Sequence, residues 1–204
     1  MSSILGTGGR IRRALLLKTG QTTSYGSGPG VDDGAYEIGV AKSYTVLTAG
    51  QYSGTTNVTV NSKTDAKSNA CVIDNNTGLM WSRTQSASVG PTSVGSLPWT
   101  TTGSGGTAEG IFPYVAAANA AALAGYSDWR VPSVYELLSI TDLEAGTGVP
   151  DATAFPVWGS VVVWTGTTQP NVTTNGFQVT FTSGACGGNA KTNNFLCALV
   201  RGPI

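Results

Sequence analysis

The chain contains no histidine. Imidazole-based triads, neutral-pH proton shuttles and histidine-ligated metals are therefore excluded. Charge is nearly as scarce: 11 basic and 11 acidic residues make up 11% of the 204 residues, and the formal net charge is zero. Such a surface has no general attraction for phosphate backbones or anionic lipid, so neither nucleic acid nor membrane is expected as a partner. Cysteine is limited to Cys71, Cys186 and Cys197, three residues that cannot all pair within one chain and whose spacing fits no metal framework. They read as three buried thiols acting as small core hydrophobes. Cys186 and Cys197 are also candidates for neighbouring strands, where a disulfide is geometrically open.

Long apolar runs are missing too. None approaches the ~20 residues of a membrane-spanning helix. Arg10, Arg12 and Arg13 are followed only by Ala14-Leu15-Leu16-Leu17 before Lys18, shorter than the ~7–15 residues of a signal-peptide apolar region. A protein of extracellular character without that signal is expected to be released by lysis, as a phage structural protein is, and its expected location is the virion.

What the chain does have is 28 glycines among abundant Thr, Ser, Asn and Val, the composition of short strands joined by many turns. Its length suits one large domain, or a medium domain with an extension. With so little charge, solubility rests on hydroxyls and amides or on burial of surface by oligomerisation, and a homotrimer is expected.

Residues 1–42 form an arm and a loop-rich attachment segment. Arg10, Arg12, Arg13, Leu15, Leu16 and Leu17 are the candidates for docking onto other virion proteins, with a poorly ordered tail as the alternative. Gly26, Gly28, Pro29, Gly30 and Asp32-Asp33-Gly34 predict little regular structure over 21–42. Strands are expected at 43–48 and 55–60, joined as a hairpin around 49–54, which makes 43–70 a hairpin extension. Residues 71–82 read as strand, turn, strand, with Leu79 and Trp81 on one side. Residues 84–110 are a long surface loop of Ser, Thr and Gly.

Helical periodicity occurs twice. At 111–123 the alanines favour helix, Val115, Ala118, Ala122 and Leu123 form an apolar stripe, and Gly125 is placed to end it. The second helix starts at Ser133, which closes a capping box with Glu136, and buries Leu137, Leu138 and Ile140. Strands return at 161–165, at 177–182 with Phe177, Val179 and Phe181 alternating, and at 194–201, with a turn at Ser183-Gly184. This order predicts an α+β protein of two helices and antiparallel sheets.

Several segments recur in a recognisable order: Val72-Ile73-Asp74-Asn75-Asn76-Thr77-Gly78-Leu79-Met80-Trp81, Ala118-Asn119-Ala120, and Leu123-Ala124-Gly125-Tyr126-Ser127-Asp128-Trp129-Arg130-Val131-Pro132-Ser133-Val134-Tyr135-Glu136-Leu137. Val163-Trp164-Thr165 and Cys197-Ala198-Leu199-Val200-Arg201-Gly202 complete the set. Together they resemble the Lcl C-terminal (collagen-like-protein C-terminal) domain family. The likeness extends more loosely to Lys18-Thr19-Gly20-Gln21-Thr22-Thr23 and Asp32-Asp33-Gly34. The resemblance implies a C-type-lectin-like fold over 71–204, the architecture shared with phage variable receptor-binding proteins and the formylglycine-generating enzymes. It does not assign a ligand.

Within the signature, Trp129 is suited to fill the space between helices and sheet, Arg130 to reach a carboxylate or strand-end carbonyls, and Pro132 to fix the chain before the second helix. Asp128, Trp81, Trp164 and Arg201 also read as frame. Calcium-dependent sugar binding in this fold needs a Pro-centred loop and a second strand motif. Gln169-Pro170-Asn171 resembles the first, but no carboxylate accompanies it and the second is absent, so neither metal nor cofactor is expected. Cys186 and Cys197 invite comparison with the reactive cysteine pair of the formylglycine-generating relatives, but only Lys191 is placed to activate either, so oxidase activity is not expected. Asp142 with Glu144 or Asp151 reads as a solvated helix end rather than an acid–base pair. Asn57-Val58-Thr59, Asn75-Asn76-Thr77 and Asn171-Val172-Thr173 read as chance glycosylation matches in an Asn/Thr-rich chain.

The expected recognition face is formed by residues 149–194. Phe155 and Trp164 belong to the core there, while Trp158, Gln169, Asn171, Asn175, Asn189, Lys191 and Asn193 are the candidate ligand-binding residues. Aromatics with amides suit a host-surface glycan or protein. The expectation is a non-enzymatic phage virion-surface protein, at a tail fibre or tip or on the head. The alternatives are a purely structural capsid or tail decoration protein and a bacterial surface adhesin.

Overall fold

The computed structural model describes residues 16–26, 32–60, 63–66, 71–83, 95–99, 110–144, 148, 150–156, 158–159 and 161–203, with backbone alone at 59, 60 and 63–66. In chain order its elements are α1 (Asp33–Tyr36), β1 (Tyr44–Val46), β2 (Asn57–Val60), β3 (Lys63–Ala66), β4 (Cys71–Asp74), β5 (Met80–Ser82) and β6 (Leu97–Pro98), followed by α2 (Ile111–Ala120) and α3 (Val134–Ile140). The chain closes with β7 (Val162–Thr168), β8 (Asn175–Thr180), β9 (Ala185–Ala190), β10 (Asn194–Cys197) and β11 (Val200–Arg201). The result is an α+β arrangement of a four-stranded sheet β1-β4-β5-β11, a five-stranded sheet β6-β10-β7-β8-β9 and the ribbon β2-β3. Pairing is antiparallel except for β10 alongside β7. Among the described residues no helix is long and apolar enough to cross a membrane.

The β4–β5 turn shows how local chemistry sets the first sheet. Asp74 is buried and accepts from the Asn76 amide at 2.9 Å and the Thr77 hydroxyl at 2.7 Å. Gly78 takes a positive φ of 75°, a conformation open to glycine without steric cost. Leu79 and Trp81 then both enter the core. That core has two parts. One gathers Tyr114, Leu123, Trp129 and Trp164; the other gathers Trp81, Phe155, Trp158 and Phe181. In the second, Phe155 meets Tyr44 edge-on at 5.3 Å, Trp158 meets Phe155 at 5.2 Å and Phe181 meets Trp158 at 5.2 Å, each contact adding roughly 0.5–1.5 kcal/mol beyond simple burial.

Several sequence expectations are corrected. The hairpin around 49–54 does not form: Tyr44 pairs with Asp74 in β4, while β2 pairs with β3. The segment read as a hairpin extension is thus divided, β1 joining the main sheet and Val58 of β2 lying fully buried in the core. The helix expected to reach 123 stops at Ala120, because Ala122 and Ala124 adopt positive φ and Ala124 donates its N–H to Thr55 O. Of the expected stripe Ala118 and Leu123 are buried, Val115 is only partly so, and Ile111 and Tyr114 join Ala118 on the buried face of α2. The last strand is two strands in different sheets, joined through buried Ala198 and Leu199. Cys186 lies exposed on β9, and β8 and β7 separate it from buried Cys197 on β10. It is neither a core thiol nor on a strand adjacent to Cys197.

Candidate functional site

The signature between Gly125 and Ser133 is occupied by internal bonds. Trp129 is 2% exposed and donates its indole N–H to Leu123 O at 2.9 Å. Asn119 on α2 brackets the Trp129 backbone, accepting from its N–H at 2.8 Å and donating to its carbonyl at 2.9 Å. Arg130 exchanges both backbone bonds with Val200 of β11 and forks Glu136 at 2.8 and 2.5 Å. Glu136 also closes the capping box with Ser133 at the start of α3. Burial pushes the Glu136 carboxyl up, but the bonds from Arg130 and Ser133 outweigh it and hold it below the usual range. Asp128 forks Arg201 at 2.6 and 3.2 Å, and that guanidinium lies 3.8 Å over the Tyr126 ring. The Arg201 hydrogen bond is the main cause of the lowered Asp128 pKa. Pro132 O receives the Gly166 N–H, and Trp164 donates to Leu97 O. Trp81 is fully buried.

The candidate ligand residues separate into one core residue and a group at one end of the five-stranded sheet. Trp158 is fully buried between Phe155 and Phe181 and donates to Arg83 O at 2.9 Å, so it is packing, not contact surface. The others occupy the β7–β8 turn, the end of β9 and the turn after it. Thr168, Gly176 and Asn189 are cross-strand neighbours and share one face. Lys191 reaches that face, donating to Thr168 Oγ1 at 2.9 Å. Asn193 donates to Asn189 Oδ1. On the opposite face, Asn175 donates to Gln169 Oε1 at 3.1 Å, and Gln169 lies over Gly188 so closely that an added Cβ would stand 1.8 Å from that oxygen. Asn171 is exposed on the connecting turn.

Two residues of this end were not singled out in the sequence. Trp99 donates its indole N–H to Thr165 O at 2.6 Å and its backbone N–H to Lys191 O at 2.9 Å. The Lys191 ammonium stands 4.0 Å from its ring centroid, and Phe112 of α2 meets the ring edge-on at 4.9 Å while remaining 44% exposed. A lone Trp in a Ser/Thr/Gly stretch was the available signal. No Asp or Glu follows Asp151 in the sequence, and among the described residues this end offers amides, hydroxyls, aromatic edges and one cation. That chemistry suits surface recognition.

The other end of the sheet meets the N-terminal segment. Leu17 bridges Val40 in parallel, and the Glu144 carboxylate accepts N–H and hydroxyl bonds from both Thr22 and Thr23. Those bonds, led by the Thr22 N–H, lower the Glu144 pKa to about 2. Lys18 pairs with Glu37 at 2.6 Å, and Leu143 donates to Thr19 O at 2.9 Å. A mostly apolar cavity of about 510 Å³ lies between Leu16, Leu17, Leu138, Leu143 and Gly184 of the β8–β9 turn. Leu16 is 70% exposed, Ile38 60% and Tyr36 61%. Arg10, Arg12, Arg13 and Leu15 lie outside the described residues.

No curated protein matches the chain. Residues 70–201 match the family described as the Lcl C-terminal domain, a span that contains the signature, both sheets' central strands and the end that carries Lys191, and the chain belongs to that family.

Proposed function

We propose that the protein is a non-enzymatic, C-type-lectin-like module on the surface of a phage virion. In this reading it binds a host-surface glycan or protein through the end that carries Trp99, Phe112, Gln169, Asn189, Lys191 and Asn193. Its N-terminal segment docks onto other virion proteins, and the assembled form is a homotrimer. The family is consistent with a phage or surface receptor-binding protein.

The observation that supports this reading most is the separation of two unlike surfaces along the same strands. The exposed apolar residues Leu16, Tyr36 and Ile38 belong to the segment packed beside the β8–β9 turn. The polar, aromatic-edged group lies at the opposite end of β8, about 20 Å away for six residues of strand. Apolar surface left open in this way marks a protein contact, and Leu16 lies at the other end of β8 from the polar group.

The test is competition. Purified protein should block adsorption of the virus to its host, and Lys191→Ala should weaken the block, with lower affinity and unchanged melting. Absence of both competition and cell binding would sink the receptor reading and leave a structural decoration role.

A further inference from the structure

Strand β9 is a free edge of the five-stranded sheet, bonded to β8 on one side only. Such an edge carries unpaired N–H and C=O groups, and proteins protect it by shortness, proline, charge, a bulge or a cover. The other edges of the two larger sheets are protected in these ways: β1 has three residues, β6 has two and includes Pro98, and β11 has two and is bridged by Arg130. β9 shows none of them. Its six residues, Ala185–Ala190, keep unbroken register with β8, include neither proline nor charge, and leave Cys186, Gly188 and Ala190 exposed.

The ladder fixes which backbone groups face outward. Lys191 donates its N–H to Thr174 O at 3.0 Å, in register with the β8–β9 pairs. By the alternation of an antiparallel ladder, residues 189, 187 and 185 also bond β8, while 190, 188 and 186 turn their groups away from it. Ala190 is used locally, its N–H by Asn189 Oδ1 at 3.1 Å and its carbonyl by the Asn193 N–H at 2.9 Å. That leaves Cys186 and Gly188, whose outward N–H and C=O groups bond to none of the described residues.

These two residues match their own copies. About a twofold axis at Gly187, Cys186 of one chain faces Gly188 of a second, and each of the two facing pairs exchanges both of its N–H···O=C bonds. Gly187 then meets its counterpart at the closer, non-bonded spacing, roughly 4.5 Å between Cα atoms. A Cβ at Gly187 would meet only Gln178 Nε2, at 3.5 Å, an ordinary contact, so packing within the chain does not call for glycine there. Glycine inside a strand weakens it and marks the close approach of another backbone. With no charge on β9, nothing repels an identical strand or selects a charged one. We propose that β9 pairs antiparallel with β9 of a second copy, continuing the sheet across two molecules. Such a contact closes at two copies, so it joins separate molecules or assemblies and is distinct from the homotrimer proposed above. It does not rest on the receptor reading.

Hydrogen exchange of the full chain, followed residue by residue by NMR at low and high protein concentration, tests the pairing. The Gly187 and Asn189 amides, bonded to β8, should be protected at both. The Cys186 and Gly188 amides should gain about tenfold once about nine-tenths of the chains are paired, because exchange then proceeds from the unpaired tenth. Sedimentation equilibrium should show the mass doubling over the same range. Cys186→Pro deletes an outward N–H that β8 does not use, so it should abolish the doubling and the gain at Gly188 with melting unchanged. Cys186→Ser keeps the N–H and should pair as the wild type does. Exchange at Cys186 and Gly188 that stays fast at every concentration overturns the proposal, whether or not Cys186→Pro folds. A doubling that persists in Cys186→Pro also overturns it and assigns the contact to exposed apolar residues such as Leu16. A doubling lost in Cys186→Ser overturns it in favour of the thiol.

Discussion

Glu144 carries much of the N-terminal segment's attachment on one side chain. Its folded pKa, about 2, lies below the ordinary value of 4.5, so its stabilising contribution is complete above pH 4.5 and is lost as pH falls toward 2. Hydrogen-exchange protection of the Thr22 and Thr23 amides should therefore fall between roughly pH 5 and pH 2.5, with the β-sheet core still protected. Glu144→Gln should flatten that dependence. Equal protection factors at the two pH values would show that other contacts hold the segment. Arg130 makes a different kind of contribution. Its pair with Glu136 is partly exposed, at 44% and 20%, so screening limits what Arg130→Ala removes to about 0.5–1 kcal/mol. Urea unfolding should register that loss while binding remains unchanged. Lost binding with unchanged melting would instead make Arg130 part of a ligand site.

At the scale of elements, what was legible was local chemistry. Ser133 and Glu136 announced α3, and the Asp74–Gly78 turn announced the β4–β5 pair. β9 gave no such sign, because Ala185-Cys186-Gly187-Gly188-Asn189-Ala190 has no β-branched or aromatic residue and becomes a strand through pairing with β8. α2 stopped early for a non-local reason, the approach of residues 53–55 to 122–125. The candidate site divides in the same way. Gln169, Asn175, Asn189, Lys191 and Asn193 gather because their strands are neighbours, and the pairing of β9 that brings in Asn189 was not legible in the sequence. Trp99 and Phe112 reach the same end from a segment distant in sequence and from α2, and only Trp99, a lone indole in a Ser/Thr/Gly stretch, offered any signal. Trp158 looked like contact surface and became core, since an indole that finds a carbonyl is easily buried. Gly176 tests how tightly Trp99 is built in: an added Cβ would stand 2.9 Å from Trp99 Nε1. Gly176→Ala should displace the indole, break its bond to Thr165 O and its stacking with Lys191, and cost about 1–3 kcal/mol as overpacking. Near-ultraviolet circular dichroism and thermal melting measure both effects, and an unchanged spectrum would mean that the ring is loosely held.

At the scale of the whole molecule, the distribution of apolar surface separates a display role from a free-standing one. Leu16, Tyr25, Tyr36, Ile38 and Val40 are all exposed large hydrophobics within one short stretch of the N-terminal segment. A chain with 11% charged residues has little else to keep such surface from associating. Scattered exposed apolar residues need no explanation, but Leu16 also lines an apolar cavity, and Val40 donates its N–H to the Leu16 carbonyl beside it. If the segment is a docking surface, replacing Leu16 and Ile38 together with serine should leave folding nearly untouched, within about 0.5 kcal/mol for exposed positions. The same change should lower self-association in sedimentation velocity and reduce incorporation of tagged protein into particles. Incorporation and sedimentation at wild-type levels would place the attachment elsewhere, and the exposed apolar residues would then need another partner.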